Sequence, residues 1–496
     1  MIVVAMALLS FVQSLIGPTN RVAESVPQVL AATNGYDAID ARGKRKTPAV
    51  DRRSEDQILN VSGRSQLLAN ARDIHRNYAL AAWAVRRHLD YVSTFGFQSQ
   101  TDDQVFNKEL EAMVAEHDAR IDVAGRHRFA KIVRLLEARA VLDGDCGLLL
   151  IDSEDGKVQG IEGDRIRDVL PSVGLLGSWV HGVRVDEMGK ALEYAIAKRT
   201  VSGMVFERSV PAKWMLIRGY YDRFDQVRGI SPLSAGLNSL RDTYENVDYA
   251  LAKAKISQLL GFKVTRTGSS EFAPTDTDDQ DTGDDKYKID FGRGPVFLDM
   301  DPGEDADFIN AATPTNEFRE FMLTVIQLTL KSLDIPYSFY DESHTNFFGS
   351  VGAINHYKRS AADKIADNQT LLDKEKQWRF SLWIRDGKLT LPKGLDLTRP
   401  FWKHISVGMP WWKPTEEIAG IGAAISMGLN NPLSACEEHN TDFYDNIDAT
   451  AKALEYSTAK LAPYGMTLSF NPPAQVPPAE SADDEANKKP ATKDKA

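Results

Sequence analysis

The sequence predicts an α+β fold that is predominantly helical. Apolar residues recur at intervals of three and four over long stretches, which is the period of helices that bury one face. Short apolar runs separated by turn signals are concentrated between about residues 145 and 220. A length of 496 residues exceeds one ordinary hydrophobic core and indicates about three structural units.

The N-terminal segment is predicted to be a flexible arm over residues 1–64, because residues 17–60 are polar, rich in Pro, Gly and Arg, and aperiodic. Its opening run, MIVVAMALLSFVQSLIG, resembles a secretion signal. However, no Lys or Arg precedes the run, and about 16 residues are short for a membrane span. A partner-docking helix or a mis-set start codon is favoured over a signal or anchor, and no stable membrane association is expected.

The first ordered elements are helices predicted over 65–92, 103–116 and 128–142. The sequence Asp143-Gly144-Asp145-Cys146 then marks a turn from helix to strand rather than a catalytic carboxylate pair. A small β-rich unit is expected over residues 145–220.

Helix returns at Ser231-Pro232, a good cap followed by proline. Its apolar seam steps 4-3-4-3-4, which suits either a core helix or packing against another helix: Leu233, Leu237, Leu240, Tyr244, Val247 and Leu251. The acidic run 276–285 is interpreted as a solvated loop, because Tyr287 occupies the position where a calcium loop needs glutamate.

Two further helices are predicted over 313–333 and 353–377. The first is expected to bury Phe318, Phe321, Met322, Val325, Leu328 and Leu333. The second has a thin apolar line, and its charged residues, Glu375 and Lys376 among them, predict that it faces water or a water-filled lumen. After a Gly- and Pro-containing loop, helices are expected over 414–427 and 433–461, followed by a disordered tail over 466–496.

The sequence carries no recognisable catalytic motif. The histidines lack metal-ligand spacing, and neither a phosphate-binding G-x-x-x-x-G-K-[ST] loop nor a G-x-S-x-G elbow occurs. We therefore expect no enzymatic activity, cofactor, catalytic residue or metal site. Two cysteines fit a reducing compartment, although one bridge between them stays open. A net charge of −11 argues against a tight grip on nucleic acid but allows a conduit that attracts phosphate weakly.

Six stretches resemble, in order, the lambda-type portal proteins of tailed phages. They are ARDIHRNYALAAWAVRRHLDYVSTFGF (71–97), GDCGLLLID with IEGDRIRD (144–168), QVRGISPLSAGLNSLRDTYENVDYALAKAKISQ (226–258), PGEDADFI (302–309), DIPYSFYDESHTNFFGSVGAINHYKR (334–359) and GLNNPLSACEEHNTDFYDNI (428–447). Together they cover most of residues 65–465.

The resemblance implies a portal fold of wing, stem, clip and crown that assembles into a ring, usually of twelve copies, with a central channel at a capsid vertex. Double-stranded DNA would pass through it during packaging and ejection, without sequence preference. The implied parts are a wing (65–310), stem helices (311–333 and 353–378), a clip (334–352), a tunnel loop (385–412), and a late helix with crown (413–465). The implied partners are sister copies, the terminase large subunit, a head–tail adaptor, and capsid and scaffold proteins. The implied location is the virion, after assembly in the host cytoplasm.

By the same analogy, the clip supplies candidate partner-binding residues: Tyr337, Tyr340, Asp341, Asn346 and Phe347. The candidates for lining the channel are Lys358, Lys364 and Lys374, and those of the tunnel loop are Lys388, Lys393 and Lys403. Two rival hypotheses stay open: an unrecognised cytosolic hydrolase, and a membrane-anchored ring or scaffold component that uses residues 1–16.

Overall fold

The computed structural model describes residues 53–153, 155–168, 179–201, 203–258, 262–266, 304–308, 316–341, 347–395, 400–406, 414–439 and 441–466. Most of the predicted arm (1–52), the acidic run (276–285) and the tail beyond residue 466 lie outside these residues. Among the described helices, none combines the length and the hydropathy needed to cross a bilayer.

The N-terminal helices begin earlier than predicted and are divided differently. Helix α1 (Glu55–Ile58) and α2 (Val61–Asn77) already occupy part of the predicted arm, so the boundary at residue 64 is wrong. The single helix predicted over 65–92 is two, because Tyr78 has extended backbone between α2 and α3 (Ala79–Val92). The apolar residues keep their spacing across this break, which made it invisible in the sequence.

Two helices and the β-rich unit follow as predicted. Helices α4 (Gln104–Asp118) and α5 (Phe129–Asp143) match the predicted pair, and Asp103 caps α4 by accepting from the Val105 and Phe106 amides. Gly144 then turns the chain with φ of +93°, as expected of the helix-to-strand turn.

The strands of the β-rich unit form two antiparallel sheets. One has the order β3-β2-β8, with β2 (Asp145–Ile151) between β3 (Lys157–Glu162) and β8 (Met215–Gly219). The other joins β4 (Trp179–Val180), β5 (Val183–Val185), β6 (Ala191–Thr200) and β7 (Gly203–Pro211) in sequence order. Strand β1 (Phe95–Ser99), which precedes α4, pairs instead with β11 (Trp402–Ser406) near the C-terminal end.

A long helical hairpin extends from the rest of the fold after residue 231. We call the remainder, α1 to α5 with β1 to β8, β11 and the later helix Phe347–Arg385, the body. The Ser231 cap is confirmed, since its side chain accepts from the Leu233 amide, but a 3₁₀ turn (Pro232–Ala235) separates it from α6 (Leu237–Gln258). Strands β9 (Phe262–Arg266) and β10 (Glu304–Phe308) pair antiparallel, and α7 (Asn316–Leu330) returns to the body. Leu237 of α6 shares a buried cluster with Leu330 of α7, so the base of the hairpin is embedded in the core.

The predicted buried face of α7 is partly wrong. Met322 and Leu333 are buried, but Phe321 and Leu328 are 55% and 65% exposed. The face that packs on the body instead contains Ile326 and Leu330. Apolar residues surround much of this helix, so the sequence could not tell which stripe the single chain buries.

The next helix is longer and more deeply embedded than predicted. Helix α8 (Phe347–Arg385) spans 39 residues and begins within the predicted clip. Its apolar residues join three separate buried clusters, through Tyr357 in the first, Leu372 in the second and Trp383 in the third. The prediction that Glu375 and Lys376 face water or a lumen is wrong, because both side chains are buried.

Three C-terminal helices complete the described chain: α9 (Pro414–Ser426), α10 (Pro432–Glu438) and α11 (Phe443–Leu461). Gly428 follows α9 with φ of +73°, in agreement with the predicted end of that helix. In contrast to α2 through α5, these three helices contain no buried residue.

Candidate functional site

The described part of the segment expected to be the clip lies against the body. The Tyr340 ring meets Trp83 of α3 edge-on, with centroids 5.9 Å apart. The Tyr337 hydroxyl donates to Asp341 over 3.3 Å. Asn346 and the side chain of Phe347 lie outside the described residues. Among the candidates whose side chains the structure describes, Tyr340 is the aromatic residue classed as exposed, at 42%.

The three candidate channel lysines do not share one face of α8. Lys358 and Lys374 are exposed, whereas Lys364 donates to Asp334 over 2.8 Å and is largely covered. At about 100° per residue, Lys364 and Lys374 point within about 80° of each other, and Lys358 points to the opposite side. The three could not all face one lumen.

The tunnel-loop candidates occupy different environments. Lys388 pairs with Asp155, and Lys403, on β11, pairs with Glu437 of α10. Lys393 is exposed in the loop after α8. The expected loop over 385–412 therefore includes a strand held in a sheet, and Trp411 and Trp412 lie outside the described residues.

The C-terminal half of α8 contains a cluster of buried charges. Glu375, one turn before Arg379, accepts from its Nε over 2.7 Å. Asp118, at the end of α4, accepts from Lys376 over 3.0 Å and also from Arg379. The Lys376 ammonium lies 4.4 Å from the centroid of the Phe129 ring, a distance that allows cation–π attraction. Sequence reasoning missed this cluster, because Asp118 is distant in sequence and no residue pattern near α8 indicates that it lies beside Lys376 and Arg379.

Glu137 of α5 forms a second buried charged cluster that joins four elements. Its carboxylate lies 2.8 Å from Nε2 of His88 on α3 and accepts from Nε of Arg218 on β8 over 2.8 Å. Asn368 of α8 donates to it over 3.0 Å, and the Tyr220 hydroxyl donates to it as well. Burial opposes the charge of Glu137, but Arg218 and the hydrogen bonds lower its pKa well below the usual value.

Asp145, at the start of β2, is the centre of a third cluster. Its carboxylate accepts from Arg228 over 2.6 and 2.7 Å, from the Gly229 amide over 2.8 Å and from Arg64 over 3.3 Å. Burial raises the pKa of Asp145, but the two guanidinium groups outweigh it and lower the pKa below the usual value. This pattern is typical of a structural ion pair, in which the carboxylate oxygens already accept hydrogen bonds from the protein. It is not the pattern of a general base that faces a substrate.

A partly buried carboxylate cluster at the C-terminal end of α5 has the spacing of a metal site. Oxygens of Asp143, Glu162 and Asp164 lie within 4.8 Å of one another. Arg72 forms a bidentate bond to Asp143 at 2.6 and 2.7 Å, and Arg199 donates to Asp164 over 2.8 Å. The guanidinium groups already supply the positive charge that a cation would bring, so the arrangement fits an ion-pair network better than a metal centre.

Uncovered apolar helix faces are the other prominent feature. On α11, a seam of residues at steps of 3-4-3-4-3 occupies one side: Tyr444, Ile447, Ala451, Leu454, Thr458 and Leu461. Ile447 is 53% and Leu454 is 38% exposed. In the hairpin, Val247 and Leu251 of α6 and Phe321 and Leu328 of α7 are likewise exposed. In a single chain these faces stay in contact with water. Relative to burial, this costs a free energy of about 25 cal/mol for each Å² of apolar surface.

Two solved chains from gene transfer agent particles align with about three quarters of this chain. A chain from the virion of a native gene transfer agent (GTA) particle aligns with 75% of this chain and 97% of its own length, at 12% identity and a TM-score of 0.45. A chain from the neck of a native GTA particle, computed with C12 symmetry, aligns with 76% and 98%, at 13% identity and a TM-score of 0.44. No significant similarity to a curated protein was found.

The family comparison is decisive, because it spans more than half of the sequence. The model of the phage portal protein, lambda family, matches residues 43–349, which include α2 through the hairpin and the start of α8. Buried carboxylates occupied by arginines and helices with uncovered apolar faces are consistent with a structural protein. The chain belongs to the lambda family of phage portal proteins.

Proposed function

We propose that this portal protein assembles into a closed ring of twelve copies at a capsid vertex and that double-stranded DNA passes through the central channel during packaging and ejection. The observation that carries the ring is the seam of α11, because an amphipathic helix with no buried residue needs a partner. The seam alternates steps of three and four residues, close to the 3.5-residue repeat of helices that pack against another helix. A head-to-tail contact between copies that closes on itself gives a ring.

We propose that the stem of the ring is the α6–α7 hairpin: α7, which lies within 311–333, is paired with α6 and not with the helix over 353–378. The hairpin emerges from the core at Leu237 and Leu330 and exposes apolar residues farther out, whereas α8 is embedded in three buried clusters. In this arrangement β9 and β10 belong to the clip, the body forms the wing, and α9 to α11 form the crown. Of the channel-lining candidates, Lys358 and Lys374 have exposed side chains, and because they point to opposite sides of α8, at most one of them would face the channel. Of the tunnel-loop candidates, Lys393 is exposed and stays in the proposal.

The remaining parts of the proposal concern partners and location. The clip would meet the terminase large subunit during packaging and a head–tail adaptor afterwards, and the wing would meet capsid and scaffold proteins. Tyr340 stays a proposed partner contact because of its exposure. The ring would form in the host cytoplasm, reside in the virion and perform no catalysis of its own.

The test is the particle that the purified full chain forms. Negative-stain images and mass photometry should show rings with a central hole, and Ile447→Asp with Leu454→Asp should reduce them to small oligomers. The matched control is Ala449→Asp with Ala453→Asp, which places the same charges on the opposite side of α11 and should leave the rings intact. A wild-type chain that stays monomeric, or seam variants that form the same rings, would overturn the proposal.

A further inference from the structure

A groove rich in arginine crosses the surface of the body. It has a volume of about 570 Å³ and lies between α2, α3, α5 and the ends of β3 and β6. Its cations are Arg72 and Arg76 on α2, Arg86 on α3, Arg139 on α5 and Arg199 on β6. This concentration stands out in a chain whose net charge is −11.

The floor of the groove is an ion-pair network. Arg72 binds Asp143 in a bidentate manner and reaches Glu162 and Asp164 over 3.1 and 3.2 Å. Arg199 donates to the same Glu162 and Asp164. The floor thus holds its two arginines rigidly and neutralises them with three carboxylates. The groove has five arginines and three neighbouring carboxylates, which leaves an excess of two positive charges.

The excess charge is located on the rim. Arg76 and Arg86 are exposed, and within the described part of the chain neither has a carboxylate at ion-pair distance. Burial and the neighbouring Arg139, Arg86 and Arg76 lower the pKa of His75, which also lines the groove. A cationic side chain there is disfavoured because the local potential is already positive.

The positive surface continues beyond the groove. Arg139 and Glu162 also line an adjoining depression of about 360 Å³, whose wall adds the cations Arg126 and Arg165 and the carboxylate of Asp122. Arg165 pairs with Glu207 over 3.1 Å. A row of cations that follows two connected depressions fits an extended polyanion better than a single small anion.

We propose that this groove binds the phosphodiester backbone of double-stranded DNA, at a place separate from the channel. Planar guanidinium groups match phosphate oxygens in a bidentate manner. Among the described residues that line the groove, Ala82 and Leu142 are the apolar ones, so the groove offers little to the hydrophobic side chains of an acidic peptide. The assignment rests on the proposed function, because it is that function which brings double-stranded DNA to the protein. A contact made by a few arginines gives a weak, salt-sensitive attachment, compatible with the acidic charge of the whole chain.

The experiment measures binding of a short fluorescein-labelled duplex of random sequence to the purified full chain, by anisotropy, over a series of salt concentrations. Replacing both rim residues, Arg76→Gln with Arg86→Gln, leaves the floor network intact. Each lost phosphate contact should reduce the slope of log K against log salt by about 0.9, so the pair should reduce it by about two and weaken binding by at least on the order of tenfold. The matched control removes two exposed cations outside the groove, Lys190→Gln with Lys213→Gln, and should leave the slope unchanged.

Images of the same samples separate this inference from the proposed function. If rings form and the rim variant binds DNA with the wild-type affinity and slope, the groove assignment is overturned while the ring stands. If no ring forms but the rim variant loses affinity, the groove assignment stands and the ring does not. If poly-glutamate binds the wild type more tightly than the duplex and loses affinity in the rim variant, the groove is a site for acidic protein segments and the DNA assignment is overturned.

Discussion

Arg228 and Asp145 form a bidentate ion pair in the interior of the body. The guanidinium Nη2 and Nε lie 2.6 and 2.7 Å from the two carboxylate oxygens, and both side chains are almost completely buried. Arg228 also donates to three backbone carbonyls, those of Gly163, Ile166 and His181, over 2.6 to 2.9 Å. The pair therefore joins β2 to the segments that flank the four-stranded sheet.

Asp145→Asn should destabilise the fold strongly, because it leaves the Arg228 and Arg64 guanidinium groups without their countercharge in the interior. We expect a loss of about 3 to 5 kcal/mol in the free energy of unfolding, measured by urea denaturation followed by circular dichroism. The control is Glu116→Gln, which removes an exposed pair with Arg120 and should cost no more than about 1 kcal/mol. Equal losses in the two variants would contradict the role given to the buried pair.

The fold should lose stability in acid. The pKa values of Glu137, Asp145 and Asp118 are lowered in the folded state, despite burial, by the arginine and lysine groups beside them. Their contribution is therefore complete above the unfolded-state pKa of about 4 and is lost as the pH falls below it. The pKa of Asp143 is raised by burial, so that group acts in the opposite sense.

The measurement is the melting temperature from neutral pH down to about pH 3. It should fall across the acid range in the wild type and fall less in Glu137→Gln, which has one depressed carboxyl fewer. A melting temperature that stays constant down to that pH would show that the buried carboxylates contribute no pH-dependent stability.

Gly144→Ala should be more harmful than the same change at another glycine of positive φ. A Cβ at residue 144 would lie 2.4 Å from the Gly229 carbonyl oxygen, and φ is +93°. The control, Gly387→Ala, has φ of +70° and no atom within 4 Å of the added Cβ. The control should cost about 1 to 3 kcal/mol from backbone strain, and Gly144→Ala should exceed it because of the clash. Comparable melting temperatures for the two variants would refute the close approach.

The two thiols should differ in reactivity. Both cysteines are free; Cys146 is buried in β2, whereas Cys436 on α10 is half-exposed. Burial and the nearby Asp145 and Asp143 raise the pKa of Cys146 well above its usual value. With Ellman's reagent, Cys436→Ser should show no thiol reaction until denaturant is added. Rapid labelling of the folded variant would mean that β2 opens readily.

Local signals in the sequence predicted much of the fold. Ser231 was identifiable as a cap because its side-chain oxygen can accept from the amide two residues later, as it does from Leu233. Gly144 and Gly428 ended helices for the reason that glycine tolerates positive φ. The alternation of short apolar runs and turns located the β-rich unit, since strands of that kind are specified over a few residues.

What the sequence could not predict depends on distant partners. Glu375 and Lys376 look like a solvent-exposed face until Asp118 and the Phe129 ring are placed beside them. Phe321 and Leu328 look like core residues, because hydrophobicity alone does not distinguish a face buried by the chain from a face left uncovered. The same holds for the arginine groove, whose members come from α2, α3, α5 and β6.

Helix α8 is about 58 Å long at 1.5 Å per residue, and it closes three apolar clusters in turn. The family match ends at residue 349, two residues after this helix begins. A fragment cut at that boundary would keep nearly all of the matched sequence yet lose Tyr357, Leu372 and Trp383. A truncated variant should therefore extend at least through β11 at residue 406, which pairs with β1, and not stop at the edge of the homologous region. The part of the sequence that the family model matches does not contain all the residues of these clusters.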